Sequence, residues 1–137
     1  MRADVARQDG SALIEVLVAI LIFSFGILGL VGLQGAMVRN QTDAKFRTDA
    51  AFLATEFVGL VATDQANYAN YVTSAGTACT YTKCADWVRK VGNGLPDGKA
   101  TVAYVAGGTG GAYTITLSWT MPDGTRHQFV SATSVYK

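Results

Sequence analysis

Between Val16 and Val38 the chain carries 23 consecutive residues without one charged side chain. The hydrocarbon core of a bilayer takes about 20 helical residues, so this run is long enough to cross one. A secretory signal has a shorter apolar core, roughly 7 to 15 residues, followed by small residues at its cleavage site. Here the run is longer and no such site follows, which predicts a single membrane anchor. The anchor explains most of the skew in composition, with charged residues at 15% against the usual quarter or so. About a hundred residues remain beyond it, enough for one small core. A net charge of +1 gives no bulk electrostatic reason to expect nucleic acid or a polybasic lipid contact.

Two features do not belong to a plain anchor. Glu15 stands directly against the apolar run, with "SALI" on its other side. A carboxylate at the centre of a spanning helix costs roughly 2.5 to 3.5 kcal/mol, less near its end. The bland reading is a carboxylate reaching the headgroups. The functional reading gives it a cationic partner, the usual companion of an ionisable group in a span. The second feature is Gly26, Gly29, Gly32 and Gly35, one at every third residue. Glycine costs a soluble helix about 1 kcal/mol relative to alanine. In lipid, small residues allow close helix approach, and they leave the backbone easier to unwind.

The stretch "GSALIEVLVAILIFSFGILGLVGLQ" resembles the class III signal of type IV pilins and pseudopilins. The resemblance implies a polar leader, residues 1–10, cut by a prepilin peptidase between Gly10 and Ser11. Ser11 becomes the N-methylated amino terminus, and Glu15 is the fifth residue of the mature chain. In the family that Glu faces the amino terminus of a neighbouring subunit during assembly. "ILGLVGLQ", "RTDAAFLATEFVGLV", a later Cys pair with a Trp-bearing short helix, and "YTITLSW" are similar to the PilV type of minor pilin. The implied partners are other minor pilins, the major pilin, the inner-membrane assembly platform, the peptidase and a large tip adhesin. The implied location is a single-pass inner-membrane protein with a periplasmic head, later built into the extracellular pilus. Ser11 stands where Phe or Met is commoner. Arg2 and Arg7 of the leader are offset by Asp4 and Asp9, and Arg39, Lys45 and Arg47 follow the span. Charge therefore does not set the orientation, which rests on the resemblance. The anchor has no Pro, so its glycines are candidates for the local unwinding that fibre packing requires.

Residues 11–38 read as the membrane or fibre-core half of a long helix, and 39–137 as a head. Phe46, Ala50, Leu53, Phe57 and Leu60 recur in steps of three and four, making one apolar stripe to about residue 62. A helix from 11 to 62 would rise about 78 Å. The stripe is too short for a coiled coil and suits packing on a sheet. "TDQANYANYVTSAGTACTYTKC" reads as a connecting loop. Cys79 and Cys84 make a disulfide if the head is exported and free thiols if it is not; the periplasmic location implied by the resemblance favours the bridge. "CADWVRKVGNG" has the composition of one or two helical turns, closed by Gly92 or Gly94. "KATVAYVA", "AYTITLSWT" and "HQFVSATSVY" read as strands, joined by "GGTGG" and "MPDGTR". In the second, Tyr113, Ile115, Leu117 and Trp119 share one face. The third alternates too unevenly to show which face is inward. The expected fold is α+β and pilin-like, a long amino-terminal helix on a small antiparallel sheet.

No catalytic constellation stands out. His127 is a lone histidine expected on a strand surface, no G-x-S-x-G or HxxxH appears, and "GGTGG" lacks the setting of a phosphate cradle. Cys79, Cys84 and His127 are too few for a metal site, and no cofactor is expected. Tyr68, Tyr71, Tyr81, Trp87 and Trp119 are core or interface candidates, with a nucleic-acid face as the weaker alternative. Three functions stay open: a type IV pilus minor pilin, a type II secretion pseudopilin, and a membrane-anchored exported enzyme or binding module.

Overall fold

The computed structural model describes residues 9–73, 79–107 and 110–136, with side chains from Ser11 onward. The expected leader, apart from Asp9 and Gly10, lies outside the described residues, as do Gly108 and Thr109 of "GGTGG". The elements in chain order are α1 (Asp9–Thr63), a 3-10 helix (Gln65–Asn70), α2 (Thr82–Gly94), and strands β1 (Lys99–Gly107), β2 (Gly110–Thr120) and β3 (Arg126–Tyr136). This is the expected α+β, pilin-like layout of a long apolar helix and a three-stranded antiparallel sheet. The contacts divide the chain into two compact units, Met1–Gln41 and Thr42–Lys137.

In the first unit α1 is uninterrupted, and every described side chain from Ser11 to Gln41 is exposed. The segment is long and apolar enough to cross a membrane. Its one hydroxyl in the apolar run, Ser24 Oγ, donates to the carbonyl of Ile20 at 2.7 Å. That bond removes the cost of an unpaired polar group in an apolar setting.

In the second unit the later part of α1 supplies one layer of the core. Ala50, Leu53, Ala54, Phe57 and Val61 are buried, while Phe46 and Leu60 pack at the margin. Ala50, Leu53 and Phe57 of the expected stripe are thus buried, and Ala54 and Val61 beside them widen it. Phe57 is the hub: its ring lies 4.7 Å from Trp87, 5.8 Å from Tyr113 and 5.9 Å from Tyr71, the last two edge-on. Such edge contacts suit the aromatic quadrupole.

The sheet order is β1-β2-β3, a meander. Tyr113, Ile115, Leu117 and Trp119 are buried, as the alternation predicts. Register decides the face of β3, which its own sequence could not. Trp119 is paired with His127, Leu117 with Phe129 and Tyr113 with Thr133. Directly opposite residues share a face, so His127, Phe129, Ser131, Thr133 and Val135 turn inward. Gly111 also lies on that face, where a Cβ would come within 2.4 Å of the Tyr104 ring. Tyr104 Oη donates to the carbonyl of Gly110 at 3.0 Å, fixing the ring across the glycine.

Two elements differ from expectation. The stretch after α1 is not all loop: six residues form the 3-10 helix, and Thr73 exchanges two main-chain bonds with Val102 of β1. The second helix has 13 residues, about three and a half turns rather than one or two. It begins before Cys84 and carries Gly92 inside it. Cys84, Trp87 and Val91, on one face, are buried, and that burial outweighs the low propensity of the glycines.

Candidate functional site

Glu15 lies on α1 with its side chain exposed. Among the described residues it makes no hydrogen bond and no ion pair. Ser11 is one turn upstream and also exposed, so the carboxylate and the candidate cleavage junction share the start of one helix.

Gly26, Gly29, Gly32 and Gly35 are all helical. A Cβ added at any of them would meet nothing within 4 Å. The isolated chain therefore supplies no steric reason for glycine at these positions. Steps of three residues turn about 300° along an α-helix, so successive glycines fall about 60° apart. From Gly26 to Gly35 they wind about halfway round. They do not form one seam as an alternating three- and four-residue spacing would.

In the head, one strongly perturbed ionisable group is a residue the sequence did not single out. Asp64 follows the last residue of α1 and accepts from Tyr81 Oη at 2.5 Å, Tyr71 Oη at 2.8 Å, Asn67 Nδ2 at 2.9 Å and Lys83 Nζ at 3.0 Å. These donors, Tyr81 foremost and then Asn67, Lys83 and Tyr71, hold its carboxyl far below the ordinary aspartate range. Burial, then the bond to Asp64, pushes the Tyr71 phenol up. The bond to Asp64 raises Tyr81 and Lys83 as well. A carboxylate with four committed donors is a knot in the scaffold. Its signal in the sequence was weak because the partners stand 3 to 19 residues away.

Cys79 and Cys84 form a disulfide with a Cα–Cα distance of 5.7 Å. The ring closes just before and inside the first turn of α2, so it ties the connecting segment to that helix. Trp87 Nε1 donates to the carbonyl of Leu53 at 2.9 Å, and Lys90 pairs with Glu56. Tyr113 Oη donates to the carbonyl of Tyr68. These contacts join α2 and the sheet to α1 and its extension.

His127 is not the surface residue expected. It faces inward, where Nδ1 lies 3.5 Å from Asp43 Oδ1 and 3.4 Å from Arg47 Nη2. Its ring stacks on Trp119 at 5.8 Å and 17°. Arg47 in turn donates to the other oxygen of Asp43 at 3.0 Å. Inward register, set by Trp119, overrides the polar character of the side chain. The aromatic residues are core: Tyr71, Trp87 and Trp119 are buried, and Tyr68 and Tyr81 pack against them. Among the described residues no three His, Cys, Asp or Glu side chains are grouped so as to hold a metal. Compared with known proteins, the chain matches no family model, no curated protein and no solved structure.

Proposed function

We propose that this chain is a minor pilin of the PilV type, working in the priming of type IV pilus assembly near the fibre tip and so in pilus-dependent motility and adhesion. A prepilin peptidase removes residues 1–10, and Ser11 becomes the N-methylated amino terminus. The protein is held in the inner membrane by α1, with a periplasmic head, until it enters the fibre. What carries this reading is one juxtaposition: a Gly-Ser junction and a single carboxylate at the start of an apolar helix whose side chains are exposed from Ser11 to Gln41.

The mechanism follows from charge. Trimming creates a cationic terminus, and Glu15 of an adjacent subunit is its counterion. At about 4 Å such a pair attracts by roughly 4 kcal/mol at an effective dielectric of 20, and by only about 1 in water. Desolvation offsets much of the gain, so the pair checks register more than it glues. The neighbours that offer such termini are other minor pilins and the major pilin, brought together at the assembly platform; a tip adhesin is the distal partner. No catalytic role is assigned to the head, which serves as scaffold and contact surface.

Deleting the gene and scoring twitching motility beside exoprotein release tests the reading. Lost twitching with normal release supports a pilus component. The reverse result assigns the chain to a type II secretion system instead.

A further inference from the structure

One end of the sheet carries a hollow of about 280 Å³. Register explains it. Lys99 and Gln128 stand opposite Ser118, and Arg126 stands opposite Thr120. Directly opposite residues share a face, here the one turned away from the core. Short side chains on the central strand therefore form a floor between long ones on its neighbours. Asp97 closes the rim, 3.6 Å from Lys99 Nζ and accepting from Thr120 Oγ1 at 3.4 Å. Its charge answers Lys99. The side chains of Arg126, Gln128 and Ser118 have no hydrogen-bond or ionic partner among the described residues. Two cations against one carboxylate leave the hollow with a positive balance and with donors to spare.

The place of the hollow narrows its ligand. At the same end of the sheet, on the inner face, His127 stacks on Trp119 and lies 3.5 Å from Asp43. Asp43 is five residues after Val38, the last of the apolar run. Five residues span at most about 18 Å in any conformation, so this end of the head stays close to the headgroup layer. We propose that the hollow binds the phosphate of an anionic phospholipid. Arg126 supplies the paired N–H donors that fit phosphate oxygens, and Gln128 and Ser118 donate beside it. A phosphoglycerol headgroup suits the site: its one negative charge answers Arg126, and its hydroxyls find an acceptor in Asp97. A choline headgroup brings a cation of its own beside Lys99 and Arg126, which like-charge repulsion disfavours. The contact holds the head on the bilayer surface before assembly. It rests on α1 being a membrane anchor and on no property of a fibre.

Photo-cross-linking of the full-length protein tests this in equimolar vesicles of phosphatidylcholine and phosphatidylglycerol. A trace of phosphatidylglycerol carries a diazirine beside its glycerol backbone, and adducts are mapped by mass spectrometry. The expected labels fall on α1 and on the strand ends around Lys99, Ser118 and Arg126. Arg126→Gln, at an exposed position, lowers the sheet label about tenfold and leaves the α1 label unchanged. Arg89→Gln, the same charge change at an exposed position on α2, alters neither. Phosphatidylcholine with the same diazirine labels the sheet about tenfold less, and millimolar inorganic phosphate leaves the label in place. Labelling of α1 without the sheet, equal sheet labelling from the choline lipid, or an equal loss from Arg89→Gln overturns the proposal. So does loss of the sheet label on adding phosphate, which assigns the hollow to the free anion. The α1 label reports insertion separately, so these failures are distinct from failure of the anchor, which would remove both labels.

Discussion

Four donors converge on Asp64, and the consequence for pH has a definite sign. Its folded pKa is lowered, so its contribution to stability is present above the ordinary aspartate range, near 4, and is lost as the pH falls through the folded value. Urea unfolding followed by tryptophan fluorescence reads the head alone, because Trp87 and Trp119 are both buried there. Asp64→Asn is expected to unfold at lower urea at pH 7. Between about pH 5 and about pH 3 the variant should lose less stability than the parent, since it lacks this carboxylate. Equal losses over that interval would refute the assignment. Glu15 gives the contrasting case. Glu15→Ala is expected to leave membrane insertion and head stability unchanged and to reduce surface pili, counted by electron microscopy. Glu15 was legible in the sequence because its oddity is local, an acid against 23 uncharged residues. Asp64 was not, because its meaning depends on side chains that only the fold brings together.

Among the elements, the buried half of α1 was readable from its three-and-four spacing, though the spacing alone did not identify Phe57 as the hub. Phe57→Ala is expected to cost about 3 to 5 kcal/mol in urea unfolding, since three aromatic rings lose their partner. Phe52→Ala, on the exposed side of the same helix, should change stability by less than about 0.5 kcal/mol. The Cys79–Cys84 ring is small, and the chain-entropy estimate for so short a loop is about 2 kcal/mol. Replacing both cysteines by serine should lower the unfolding free energy by about that amount and leave the circular dichroism of the head unchanged. The facing of β3 was illegible for a physical reason. Its inward residues include His127, Ser131 and Thr133, and only pairing with the strongly patterned β2 gives them a side.

For the whole molecule, the sequence divides cleanly into an oily segment and a head, and the two compact units fall close to that division. The α+β layout was legible because a long apolar helix, a stripe and three strand patterns leave few other arrangements. The proposed maturation is tested on the intact chain: Gly10→Ala should leave the unprocessed precursor, seen as a heavier amino-terminal fragment by mass spectrometry. A plain anchor would give the same amino terminus with and without the substitution.

The four glycines of α1 make one last point. Bearings spread over half a circumference do not suit a helix that meets one companion along one line. They suit a rod in a crowd, relieved of bulk toward several sides in turn, each at a different depth.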